Sequence, residues 1–343
     1  MDGFIDYGGN CCGKKPADHA LVMMFVPLFD NWVQPIARFA SKGAAPGDVL
    51  AHLVTEAVME LAKHNASLIA VVSYGAGSNK SMWARLCISG RLTAAVHKVQ
   101  HPCIPGEHLH FLCDVPHMVK CIRNHMQRYN HAQAGDCDIV YDHYRTLYTE
   151  DEKKQLRVVP KLTLAHIEPD SLRKMNVRLA TQLFSRGTAL GLEVYRKQGL
   201  PGLEASEGTE VFTRRLNDLF DALNAKFPKE AVRPGSPKQE IIDTFLRIVD
   251  NTAERFCRSR ETMFASLQTI QSLRLSLLST KDILALLFKE GVSYVLTVKL
   301  NQDPLERFFG NVRSFGGHEE HPKIVNFAYI FRLLTLYTPV RWP

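Results

Sequence analysis

The stretch Leu296 to Gly317 reads L-T-V-K-L-N-Q-D-P-L-E-R-F-F-G-N-V-R-S-F-G-G, and its spacing predicts a helix that opens near Asn301 to Pro304 and runs through Phe315. Asp303 can cap free backbone N–H groups, and Pro304 suits the first helical position, where an N–H would be orphaned anyway. Leu305, Phe308, Phe309 and Val312 recur at helical spacing and face a core, with Glu306, Arg307 and Arg313 on other parts of the surface. Asp303 and Glu306 thus stand three residues apart at a helix start. Spacing alone fits a capping box, in which the cap contributes about 1 kcal/mol. Metal or nucleotide chemistry is the other reading of such a pair.

Working outward, 343 residues with 45% hydrophobic content can bury a sizeable core and suggest two domains. The net charge of +7 with 14 His permits a polyanionic partner such as nucleic acid without requiring one. Eight scattered Cys without a C-x-x-C pair read as reduced thiols in a cytosolic or nuclear protein. The opening M-D-G-F-I-D-Y-G-G lacks a basic start and apolar run, and Ala20 to Leu28 is too short to span a membrane, so no membrane association is expected.

Ala20 to Leu28 and Val33 to Phe39, separated by Asp30-Asn31, predict a hairpin. Leu50, Leu53, Val54, Ala57, Val58 and Leu61 mark an amphipathic helix, and Ser67 to Ser73 a buried strand. This order predicts an α/β sheet with a helix on at least one face. The following Y-G-A-G-S-N-K-S-M-W is a glycine turn opening a helix; in the register ending Lys80-Ser81, Tyr74 and Asn79 occupy both glycine positions of a Walker A loop, which excludes that motif. The His and Cys between His97 and His117 match no paired zinc-ligand spacing. Leu109 to Cys113 reads as a strand, and Asp114 as the N-cap of a Pro116-containing helix. On that helix Lys120, Arg123 and Arg128 form a cationic flank that could meet a phosphate backbone, with a solvated helix face as the default reading.

From about Asn130 to Gly291 the pattern is helical with no convincing strand. Asp170 is expected to cap a helix ending near Gly187 or Gly191. Glu207 to Phe227 carries a buried stripe of Phe212, Leu216, Leu219, Phe220, Leu223 and Phe227, beside a polar stripe of Asn217, Asp221 and Asn224. Further helices are expected near Lys238 to Glu254, Arg260 to Leu278 and Ile324 to Leu336, with Ser293 to Val298 a short strand or extended lead-in.

N-Q-D-P-L-E-R-F-F-G-N-V-R-S-F-G-G followed by H-P resembles the C-terminal catalytic segment of the P-element transposase family, which includes the THAP-domain transposases. The resemblance makes Glu306 the last catalytic acid, and a metal ligand, of an RNase H-like site. V-S-Y-G-A-G-S-N-K-S-M-W resembles the family's V-S-D-G-x-x-x-N-x-x-x-W, with Tyr74 where its second catalytic aspartate stands. A phenol, neutral at pH 7, is a poor Mg²⁺ ligand where carboxylates are needed. D-V-P-H-M-V-K-C-I-R-N is a third match.

The family also implies an all-helical GTP-binding insertion. L-N-D-L-F-D-A-L-N resembles its nucleotide helix, so that Phe220 packs on the nucleotide, Asp221 and Asn224 bond it, and Asp303 closes the site. K-M-N-V-R-L resembles the segment that adds Val177, with Asn176 in place of a lysine and Lys174 and Arg178 one turn apart. The implied fold is an α/β, RNase H-like mixed sheet, lacking its first strand, interrupted by a large all-α insertion. The expected divisions are 1–129, 130–291 and 292–343. The implied function is that of a P-element-type DNA transposase-derived protein without catalysis, retaining GTP and DNA binding in the nucleus and self-associating. The alternatives are an active Mg²⁺-dependent transposase, with Asp114 as a substitute acid, and a protein-interaction scaffold.

Overall fold

The structure, a computed structural model, describes residues 3–9, 12–315, 323–337 and 340–341. In chain order its elements are β1 (Phe4–Asp6), β2 (Cys12–Pro16), β3 (His19–Phe25), β4 (Trp32–Ser41), α1 (Gly47–Lys63), β5 (Ala70–Ser73) and α2 (Gly77–Arg85). Next come β6 (Ser89–Gly90), β7 (Ala95–Val96), β8 (Lys98–Gln100), β9 (His108–Cys113), α3 (Val115–Tyr129), β10 (His131–Ala134), β11 (Cys137–Val140), α4 (Asp142–Glu152) and α5 (Leu164–Ile167). The rest are α6 (Val177–Leu183), α7 (Arg186–Lys197), α8 (Glu207–Leu223), α9 (Pro237–Ser259), α10 (Leu267–Lys289), α11 (Asp303–Phe315), α12 (Ile324–Tyr337) and β12 (Val340–Arg341). Two compact units result: one from Met1–Ile88, Val99–Leu109 and Val298–Pro343, the other from Ser89–Lys98 and His110–Thr297.

In the first unit β3 and β4 pair antiparallel, from His19 opposite Ser41 to Phe25 opposite Gln34. The register slips between Met23 and Met24, where Pro35 on the facing strand has no N–H to give the ladder. β1 pairs with β2 and, through Asp6 opposite Ala40, with β4; β12 pairs with β4 at Val33 and Trp32. Neither β1 nor β2 was legible in the sequence, since each is short and lacks apolar alternation. A second sheet has the order β5-β9-β8. Among the described residues β3 pairs with β4 alone and β5 with β9 alone, so each keeps one edge without a strand.

α11 lays its apolar face on the hairpin. Val22, Phe308, Val312, Phe327, Ile330, Phe331 and Leu334 form one buried cluster, with Ala20, Met24, Leu305 and Phe309 against it. The expected helix is thus present, but Asp303 is its first residue rather than its cap, and Pro304 its second. The motif's Gly316 and Gly317, and His321-Pro322, lie outside the described residues.

The second unit is mainly helical around an aromatic core. Tyr144 meets Phe184 edge-on at 6.1 Å, Phe184 meets Phe212 at 6.3 Å, and Phe212 meets Phe264 at 5.2 Å. The buried Tyr144 hydroxyl hydrogen-bonds the Thr213 hydroxyl at 2.6 Å, which removes the cost of an unpaired polar group. Five expectations fail here. β10 and β11 form a hairpin in the region read as strand-free, turning at Gly135 with φ +61°. The helix expected after Asp170 is broken: Asp170 accepts the Arg173 N–H at 2.8 Å, a 3₁₀ turn follows at Arg173–Met175, and Asn176 caps α6 through the Leu179 N–H at 3.3 Å. Gly187 and Gly191 lie inside α7 instead of ending a helix, because a Cβ on Gly191 would come within 2.4 Å of Val159. α8 ends at Leu223, leaving Phe227 54% exposed and Phe220 half-buried, and Arg260 to Ser266 is not helical.

Candidate functional site

Packing of Phe308 and Val312 against the hairpin turns the opposite side of α11 outward, and Glu306 is on it. Glu306 touches water, yet the protein around its carboxyl desolvates it and raises its pKa, with the Arg313 charge pulling it back down. Such a group sits at a rim. α11 is tied to the hairpin by Lys299, a buried lysine whose Nζ donates to the carbonyls of Pro27, at 2.8 Å, and Asp30. In the same unit Tyr74 follows the last residue of β5, half-buried, and its carbonyl accepts from Asn79 Nδ2 at 2.8 Å. The loop therefore carries a phenol, not a carboxylate, directly after the strand end.

Among the described residues no three of His, Cys, Asp and Glu gather into a metal-binding group. Asp114, a substitute acid named from the sequence, is the N-cap of α3 and accepts the His117 N–H at 3.0 Å. The histidines between His97 and His117 divide into core and surface: His110 is 3% exposed, His108 is exposed, and His97 meets Asp282 at 2.8 Å.

In the helical unit the end of α8 brings together Phe220, Asp221 and Asn224, the last being its C-cap. Asp221 Oδ2 accepts from Asn217 Nδ2 at 3.0 Å, leaving Oδ1 without a hydrogen bond among the described residues. Desolvation raises the Asp221 pKa, while the Asn217 hydrogen bond and the Lys238 charge oppose the rise. Lys238 Nζ donates to the carbonyls of Asp221 and Glu230 at 2.9 and 2.5 Å, which anchors the turn. Thr297 Oγ1 donates to the Ala222 carbonyl at 2.7 Å and accepts the Ala225 N–H at 3.0 Å, closing the last turn from the other side.

Val177 is the first residue of α6, and α6 packs on α3. Arg123 Nη2 donates to the carbonyls of Arg173 and Lys174 at 3.4 and 3.1 Å, and Asn124 Nδ2 to that of Lys174 at 3.2 Å, so α3 holds the turn before α6. Lys174 and Arg178 are exposed but belong to different elements, split at Asn176, and are not successive turns of one helix. Arg123 and Asn124 were seen in the sequence only as part of a signature; the holding role has no sequence signal, because its acceptors are backbone carbonyls 50 residues away. Asp303 and Glu306 belong to the first unit.

Three family descriptions match in order: "TNP-like, RNase H N-terminal domain" over residues 1–87, "TNP-like, GTP-binding insertion domain" over 116–233, and "TNP-like, RNase H C-terminal domain" over 298–332. The chain belongs to the P-element transposase family. The Transposable element P transposase of Drosophila melanogaster is 26% identical over 324 residues, covering 93% of this chain and 41% of that protein. The human DNA transposase THAP9 is 28% identical over 234 residues, covering 66% of this chain and 25% of that protein. The chain thus spans less than half the length of either relative. The Drosophila P element transposase strand transfer complex superposes with a TM-score of 0.80 at 24% identity, covering 98% of this chain and 76% of that one, which establishes the shared fold. In this P-element transposase relative, RNase H-like segments flank the helical insertion.

Proposed function

We propose that this chain is a transposase-derived protein that has lost phosphoryl-transfer chemistry and retains a guanine-nucleotide site. The observation that carries the loss is Tyr74, which follows the end of β5. Two-metal phosphoryl transfer holds its ions between several carboxylate oxygens, and a neutral phenol supplies neither the charge nor the hard ligand. Among the described residues no group of three potential metal ligands includes Glu306, and one carboxylate cannot replace the hydration of two divalent ions. The described donors do not fit a pair of magnesium ions.

The nucleotide reading is supported by the match of residues 116–233 to a GTP-binding insertion and by the end of α8. A carboxylate accepts two N–H groups side by side, as the N1 and N2 edge of guanine offers, and Asp221 has an oxygen to spare for it. Phe220 supplies a half-buried ring for the base and Asn224 a second polar contact, with Val177 as a further contact. DNA is the macromolecular partner this family relationship favours, the nucleus the compartment, and a second copy of the chain a partner in any assembly on DNA. Calorimetric titration with GTP tests the nucleotide site: heat of binding in the parent and its loss in Asp221→Ala are expected. Absence of heat in the parent removes the claim.

A further inference from the structure

Lys120 and Arg123, three residues apart on α3, were expected on a solvated flank, but they are 7% and 0% exposed. Residues at this spacing share a helix face, with Cβ atoms about 5–6 Å apart. Neither cation forms an ion pair with a carboxylate among the described residues. Arg123 gives Nε to Asn124 Oδ1 at 2.7 Å and Nη2 to the two carbonyls of the 173–175 turn, while its buried Nη1 has no acceptor. Lys120 makes no hydrogen bond with any described residue, and its Nζ is not sealed from solvent as Arg123 Nη1 is.

The charged groups around Lys120 are Asp114, Cys121 and Arg123. Asp114 already spends an oxygen on the His117 N–H at 3.0 Å, and Cys121 Sγ lies 3.4 Å from His117 Nε2. Burial of an ion is costly unless it is paired and its hydrogen bonds are made. Two like charges one turn apart, both buried and both with an unused donor, lack one component. That component is an anion with several acceptor oxygens.

We propose that Lys120 and Arg123 form a receptor for an oxyanion of the phosphate class, entered from the Lys120 side. A tetrahedral phosphoryl group presents oxygens that an ammonium and a guanidinium donor can share, and it supplies the missing countercharge. The source is either free phosphate or the phosphodiester of a nucleic acid strand. The proposal makes no use of the guanine contacts at Asp221 and Asn224.

The test uses the full chain with Lys120→Met and Lys120→Arg, because Arg123 also holds the 173–175 turn and its loss would confuse folding with binding. Thermal unfolding is followed in sodium phosphate and in sodium chloride of equal ionic strength at pH 7. Fluorescence anisotropy follows a labelled ten-residue oligothymidylate. In chloride, Lys120→Met melts at or above the parent temperature, since a buried unpaired charge has been removed. Phosphate, which stabilises most proteins somewhat through exclusion, raises the parent's melting temperature further than that of Lys120→Met. Lys120→Arg keeps the extra increment. If the strand is the source, Lys120→Met weakens oligothymidylate binding about tenfold or more, the worth of one charged hydrogen bond. A phosphate increment without strand binding assigns free phosphate. Equal phosphate increments in parent and Lys120→Met, with unchanged strand affinity, overturn the proposal.

Discussion

Asp221→Asn separates nucleotide recognition from folding. In the parent, Oδ2 is held by Asn217 and Oδ1 is available, so guanine would meet an oriented carboxylate. The substitution keeps the shape but replaces one acceptor by an NH₂ group, which faces a guanine N–H donor to donor. A hydrogen bond to a charged group contributes about 1.5–3 kcal/mol, so GTP affinity falls about 10- to 150-fold. The low end is expected because Asp221 is exposed. Stability moves the other way: burial raises the folded-state pKa of Asp221, so its contribution is fully present below the unfolded value of 3.8 and is lost as pH rises through the folded one. At pH 7 the unliganded variant therefore melts at or above the parent temperature. Calorimetry with GTP and xanthosine triphosphate reads the recognition. Xanthine carries a carbonyl where guanine carries its N2 amine, so Asp221→Asn should favour it relative to GTP. An unchanged GTP affinity, or equal loss of both nucleotides, refutes the assignment. As pH falls through the raised Asp221 pKa, parent GTP binding weakens at a higher pH than an unperturbed aspartate would give.

Phe308→Ala removes a ring 1% exposed and 5.7 Å from Phe331, and equilibrium urea unfolding should register a loss of about 3–5 kcal/mol; less than 1 kcal/mol would refute the packing of α11 on the hairpin. Gly208→Ala should destabilise by about 1–3 kcal/mol despite alanine's better helix propensity, because the added Cβ would stand 2.2 Å from the Asp138 carbonyl oxygen; a rise in melting temperature would contradict the close approach of α8 to β11. In a plasmid-nicking assay with Mg²⁺, parent and Glu306→Gln should both remain at background, whereas parent activity that falls in Glu306→Gln would restore a catalytic reading.

The β3–β4 hairpin, α1, the Asp114 cap and the Phe212, Leu216, Leu219 and Leu223 part of the α8 stripe were legible because each rests on a local pattern: alternation, helical spacing or a capping residue before proline. The family motifs added Glu306, Tyr74 and the end of α8, which no periodicity marks. The β10–β11 hairpin was hidden by its length of four residues a strand, although Gly135-Asp136 is a two-residue turn signal that a closer reading of H-A-Q-A-G-D-C-D-I-V could have used. The break at Asn176 was missed because Asn suits a cap as readily as a helix interior, and tertiary hydrogen bonds from Arg123 and Asn124 decide between them. The burial of Lys120 and Arg123 runs against composition, since cations of this kind are almost never buried.

Thr297 is both the residue whose hydroxyl closes α8 and the point where the chain leaves the helical unit. Two residues earlier Val295 exchanges backbone hydrogen bonds with Val232, at 3.0 and 2.9 Å. The exit segment and the end of α8 are therefore stitched into one cooperative piece, and local opening at either releases both. Amide deuterium exchange at Ala225, Val232 and Val295 should accordingly proceed at matched, slow rates. An exit of this kind does not fray as a chain end does: a single threonine hydroxyl makes the way out of the insertion part of its interior.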